Sequence, residues 1–115
     1  MQDQLPRSTT RALETPVGNA LGMSNRWQQG QYCAIFTKVG IVACAMYDIP
    51  TCEEFNYAIA MAKGTPKNPL AEPEDLYNAK IVKLTKRARD MGIREGMTGL
   101  EALKILLDQE SAQTA

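Results

Sequence analysis

IPTCEEFNYAIAMAKG, residues 49–64, follows directly on a β-rich run, and its reading decides the fold. It reads as a helix. Thr51 stands as N-cap with Glu54 three residues on, the two halves of a capping box; Pro50 precedes them and Gly64 is placed to stop the helix. Cys52, Phe55, Ile59 and Ala62 are spaced three, four and three apart, one apolar stripe that puts Cys52 on the inward side.

Upstream, QYCAIFTK (31–38) and GIVACAMYD (40–48) form a hairpin signal with its turn at Val39 and Gly40. That turn sets Cys33 opposite Met46 and Cys44 opposite Ile35, both cysteines on one face but diagonally offset. Sliding it by one residue would separate them onto opposite faces. TPVGNALGMSNRW (15–27) is compatible with a short strand or an irregular edge. Residues 1–14 are polar, show no period, and read as a disordered or partner-dependent arm.

Downstream, the prolines of GTPKNPLAEPEDLYN (64–78) predict a loop leading into a short helix near Glu74 to Tyr77. AKIVKL (79–84) fits either a strand near Lys80 to Lys83 or the start of a continuous helix. The strand is the preferred reading, with a helix then running to Met91 and stopping at Gly92. Thr98 and Glu101 form a second capping box, followed by Leu100, Leu103, Leu106 and Leu107 as a buried side. The tail, 108–115, is polar and expected to fray. No internal repeat is evident. The expectation is an α+β fold over a single domain, 15–107: a small antiparallel sheet with a hairpin at about 31–48, packed by three or four helices on one face.

Composition narrows the function. The chain has 115 residues, 44% of them apolar, and 13 basic against 13 acidic side chains give no net charge. No overall field recruits nucleic acid or an anionic membrane, and little repulsion keeps copies apart. There is no secretory h-region in the first residues and no apolar run of membrane-spanning length, so the expected location is the cytoplasm. The chain contains no histidine, which excludes Ser-His-Asp and Cys-His catalysis within one chain and His-ligated metal sites. The 3 cysteines include no CxxC pair, so neither a disulfide framework nor a zinc knuckle is indicated, and no cofactor motif is present.

The candidate sites each have a structural alternative. Cys44 is either a reactive thiol or a small apolar side chain in the sheet. Cys52 stands at the first helical position, where the macrodipole and free N–H groups favour a thiolate, yet its stripe points to burial. Gly96, Met97, Thr98 and Gly99, with Lys63 and Lys67 as loop cations, could hold a phosphate or carboxylate, but capping already uses part of that donor capacity. KRAR (86–89) lacks interleaved aromatics and reads as a solvated face rather than a nucleic-acid contact.

The hairpin cysteine Cys44, the AKG segment (62–64), EDLYNAKI (74–81) and GIREGMTGLEAL (92–103) resemble the YunC-like family of small bacterial and archaeal proteins, a domain of unknown function. Ala45 departs from the glycine that often follows the strand cysteine. The resemblance implies a mixed α/β fold that assembles as a homodimer or homotetramer through its N-terminal β region, with no reaction assigned. The expected function is a non-catalytic small-molecule-binding or accessory protein with an intersubunit site near Cys44 and Gly96–Gly99. The alternative is a thiol-dependent enzyme or redox sensor using Cys44 or Cys52.

Overall fold

The computed structural model describes residues 5–114. β1 (Arg7–Thr15), β2 (Gly18–Trp27) and β3 (Gly30–Phe36) form an antiparallel meander that β4 (Ile41–Cys44) extends. α1 (Ile49–Glu54) then leads to β5 (Ile59–Ala62), which lies parallel to β4. A single 3-10 turn (Pro73–Leu76) precedes β6 (Ile81–Leu84), antiparallel to β5, and α2 (Lys86–Asp90) and α3 (Gly99–Thr114) follow. The six strands lie in chain order across one sheet. The fold class is α+β, but the sheet is mixed and larger than the small antiparallel one expected.

The difference lies in residues 49–64, which are a helix, a stop and a strand. The cap of α1 is Asp48, whose carboxylate accepts from the Thr51 amide at 3.1 Å, so Thr51 sits inside the helix and the Thr51–Glu54 box does not form. The stop is Asn56, in the left-handed region at φ 58°. The amide of Asn56 donates to the Glu53 carbonyl and that of Tyr57 to the Cys52 carbonyl, at 3.1 and 3.0 Å, the paired closure of a Schellman end. Phe55, expected on the buried stripe, is 61% exposed. All of β5 is buried, because it lies between β4 and β6 with both faces covered. A short apolar run of that kind has no period of two to distinguish it from a buried helix.

The hairpin keeps its place and shifts its register. Thr37 organises a four-residue turn: its amide and hydroxyl both donate to the Gly40 carbonyl, at 2.9 and 2.8 Å, and its Oγ accepts from the amides of Val39 and Gly40. Ala34 therefore pairs with Ala43 and Ile35 with Val42. The expected diagonal offset of the two cysteines disappears, and Cys33 comes opposite Cys44.

The two faces of the sheet are covered unequally. Cys33, Ile35, Val42, Ala60, Ala62 and Ile81 belong to one core with Leu76, Ala88, Leu103 and Leu106 from the 3-10 turn, α2 and α3. Ile59 and Met61 point to the other face, where Cys52 of α1 meets them. Helices thus lie on both faces, not one.

Residues 7–14, expected within an unstructured arm, belong to β1 and pair with β2 along their length; residues 1–4 of that expectation lie outside the described residues. Polarity hid the strand, since all but Leu13 and Thr15 of its side chains are exposed and no buried face imposes a period. Arg11, ion-paired to Glu74 at 2.6 Å, ties it to the 3-10 turn. The expected frayed tail is likewise helical to Thr114, held by a Lys104–Asp108 pair at 2.9 Å and by Glu110, which accepts from the Lys38 amide at 2.6 Å; Ala115 lies outside the described residues.

Candidate functional site

β4 diverges from β3 after Ala43, and the Cys44 side chain takes over the backbone groups that pairing would have used. Its Sγ accepts from the Cys33 amide at 3.1 Å and, as a thiol, donates to the Cys33 carbonyl at 3.2 Å. The two Sγ atoms are 3.8 Å apart and both thiols are free. Buried polar backbone needs a partner, so this sulfur has a structural task. The strand then ends in a tight bend, with the Met46 amide donating to the Cys44 carbonyl at 2.8 Å. Ala45 is exposed at that bend.

The pair is asymmetric. Cys33 is fully buried, whereas Cys44 is partly open to a cleft of about 320 Å3. Hydrogen bonding from the Cys33 thiol, and then from the Cys33 amide, lowers the Cys44 thiol to about 7 against the opposing effect of burial. The same shared hydrogen bond, followed by burial, pushes the Cys33 thiol up. The two thiols are thus shifted in opposite directions. Lys63 and Gly64 line the same cleft, so the structure brings Cys44 and Lys63 together.

Gly96–Gly99 do not line that cleft, and their amides are already committed. Gly96 donates to Ile81, Met97 to Arg94 and Gly99 to Ala79, at 2.9, 3.3 and 2.8 Å, while the Thr98 amide donates to the Glu101 carboxylate at 2.9 Å. The reciprocal bond from the Glu101 amide to Thr98 Oγ, 3.1 Å, completes the expected second capping box. An anion would have to displace protein acceptors from every one of these donors. Gly96 adopts φ 91°, and a Cβ on Gly99 would run into the Leu76 carbonyl, so both glycines are explained by the backbone path.

Cys52 stands one turn into α1 and donates its amide to the Asp48 carbonyl at 3.1 Å, so it is not at the helix start. It is 4% exposed, and burial, followed by the charges of Asp48 and Glu53, raises its thiol. In the KRAR run, Lys86 pairs with Asp90 at 2.8 Å, Arg89 with Glu95 at 3.6 Å, and Ala88 is buried. The residue underweighted by sequence reasoning is Cys33, and the signal for it was Thr37, which sets the turn and hence the register. Among the described residues no three acidic or thiol side chains gather as a metal site, and no helix is long and apolar enough to cross a membrane.

These features define a small α+β protein built on a mixed sheet, with an asymmetric thiol pair at a strand end. The chain belongs to the family described as a domain of unknown function (DUF1805), which matches residues 43–106. That match includes Cys44 and Gly96–Gly99 and begins after Cys33. The chain is also similar in fold to a protein of unknown function, TA1206 from Thermoplasma acidophilum, whose crystal structure superposes with a TM-score of 0.74 at 15% identity, over 87% of this chain and 93% of that one. No curated protein matches.

Proposed function

We propose that this is a thiol-dependent, redox-responsive protein in which Cys44 is the reacting thiol and Cys33 its resolving partner. The observation that carries the reading is the 3.8 Å approach of two free sulfurs, one buried and one open to a cleft. A disulfide needs a further approach of about 1.8 Å, within reach of side-chain rotation at a strand end. With a peroxide as oxidant, the Cys44 thiolate attacks one peroxide oxygen, the O–O bond breaks and hydroxide leaves, giving a sulfenic acid. The Cys33 sulfur then attacks the Cys44 sulfur, losing its proton as the sulfenic oxygen departs as water.

Hydrogen peroxide is the test. Mass spectrometry of native protein is expected to show loss of two hydrogens and a linked Cys33–Cys44 peptide, with Cys52 still reduced. A C33S variant is expected to stop at the sulfenic acid, trapped by dimedone. Oxidation that spares Cys44, or that strikes Cys52 equally, overturns the reading.

Small-molecule binding attaches to the same cleft through Cys44 and Lys63; the committed amides of Gly96–Gly99 favour neither an anion nor a second thiol partner there. The YunC-like resemblance and the outer edge of β1, which has no strand partner among the described residues, support assembly of a homodimer or homotetramer through the N-terminal β region. Light scattering coupled to gel filtration is expected to give a multiple of 12.7 kDa. A monomer mass at micromolar concentration removes that part.

A further inference from the structure

On the sheet face opposite α3, a cavity of about 520 Å3 opens between α1, the Thr37–Gly40 turn and the start of β5. Val39, Ile41, Ile59 and Tyr57 wall it, and Arg87 of α2 reaches its lining. The charges around it are unbalanced. Lys86 and Arg89, the neighbours of Arg87, each have a carboxylate partner, whereas Arg87 has none among the described residues. The acid in the lining, Asp48, is occupied with the amide and hydroxyl of Thr51.

We propose that this cavity binds a small monocarboxylic acid with an apolar body, the carboxylate on the Arg87 guanidinium and the hydrocarbon against Ile41, Ile59 and Tyr57. A guanidinium presents paired donors that match a carboxylate, and an apolar wall of this size desolvates a ring or short chain. Lys38 also stands in the lining, but the backbone of the turn does not suit a phosphate. The Val39 and Gly40 amides donate to Thr37 Oγ and the Lys38 amide to Glu110, so the turn offers no nest of free N–H groups to a dianion. The site lies on the opposite face of the sheet from the thiol pair and stands independently of the redox reading.

The probe is 3-phenylpropionate, compared with its neutral analogue 3-phenylpropionamide, each titrated into 15N-labelled protein. The carboxylate is expected to shift the amides of Gly40, Asn56 and Ala58 at millimolar concentration. The neutral analogue, and the carboxylate against R87Q, are each expected to bind at least about tenfold more weakly, the scale of one charge-assisted pair. Arg87 is exposed on α2, and the two-probe comparison on the unaltered chain stands whether or not the variant folds. Equal binding of the two probes, shifts confined to residues off the cavity, or no shift with the carboxylate overturns the proposal. So does broadening of these amides with protein concentration alone, which would assign the face to contact between copies.

Discussion

The helix start at Gly96–Gly99 and the strand end at Cys44 are the two places where the chain carries its most distinctive residues, and they use their polar groups in opposite ways. At the helix start every amide is spent on a protein acceptor, and the glycines are there because the backbone passes close to Leu76 or turns through positive φ. At the strand end a side chain has replaced a backbone partner, which leaves a sulfur both held in place and chemically available. Distinctive residues therefore mark a structural need at one site and, on the reading proposed above, a reactive group at the other. Hydrogen-bond accounting, rather than residue type, separates them.

The largest expected effect tests the structural side. A methyl at residue 99 collides with backbone, which cannot swing aside as a side-chain tip can, and moving α3 away forfeits the bonds from Gly99 to Ala79 and from Leu100 to Tyr77. Gly99→Ala is expected to cost at least about 3 kcal/mol in urea unfolding, on the scale of a severe core or backbone clash. Peroxide oxidation of Cys44 in the molecules that remain folded is expected to be unchanged. A variant with wild-type stability would break the contrast, because it would leave the glycine free for a ligand-binding role.

How much of this was legible in the sequence follows the same division. Elements fixed by local chemistry could be read directly: the helix from Thr85 towards Met91 and the Thr98–Glu101 box, where cap, apolar side and stop agree, whereas β6 was the preferred of two readings because its run also fits a helical period. The residues at 49–64 could not, because Thr51 and Glu54 have the spacing of a box while Asp48, three residues before Thr51, competes for the same amide and wins. The apolar run of β5 gains its identity only from strands on both sides. β1 was hidden by solvent on both faces. Of the site, Cys44 could be singled out but its partner could not be fixed, since a two-residue difference in the turn decides whether Cys33 lies across from it or beside it. The cavity near Arg87 is assembled from four separate segments, none of which carries a motif.

On the thiol side, the comparison sharpens through Cys33. Alkylation proceeds through the thiolate, so the rate at Cys44 is expected to rise with pH through a midpoint near 7. C33A removes the thiol donor that is the first cause of the lowering and leaves the backbone amide. The midpoint should then move up towards the ordinary thiol value, and the iodoacetamide rate at pH 7 should fall about five- to fifteenfold as the thiolate fraction drops. An unchanged pH profile would mean that the Cys33 thiol contributes nothing to its neighbour and that the pair is only a packing contact.

The smallest effect concerns Cys52, the thiol that the sequence placed in the better electrostatic position. Asp48 suppresses it twice, by holding α1 closed over it and by placing a negative charge nearby. D48A removes both effects, while D48N keeps a side-chain acceptor for the Thr51 amide and removes only the charge. Native labelling of Cys52 is expected to rise roughly threefold in D48A through local opening of a short helix, and less in D48N, with Cys44 unaffected in either. If D48N matched D48A, charge alone would govern Cys52. If neither moved it, the sulfur would be protected by the packing of Ile59 and Met61 against it rather than by its helix. In wild-type protein Cys52 should still react far more slowly than Cys44. Equal rates would undo the distinction between a thiol that fills space and one that is held ready to react.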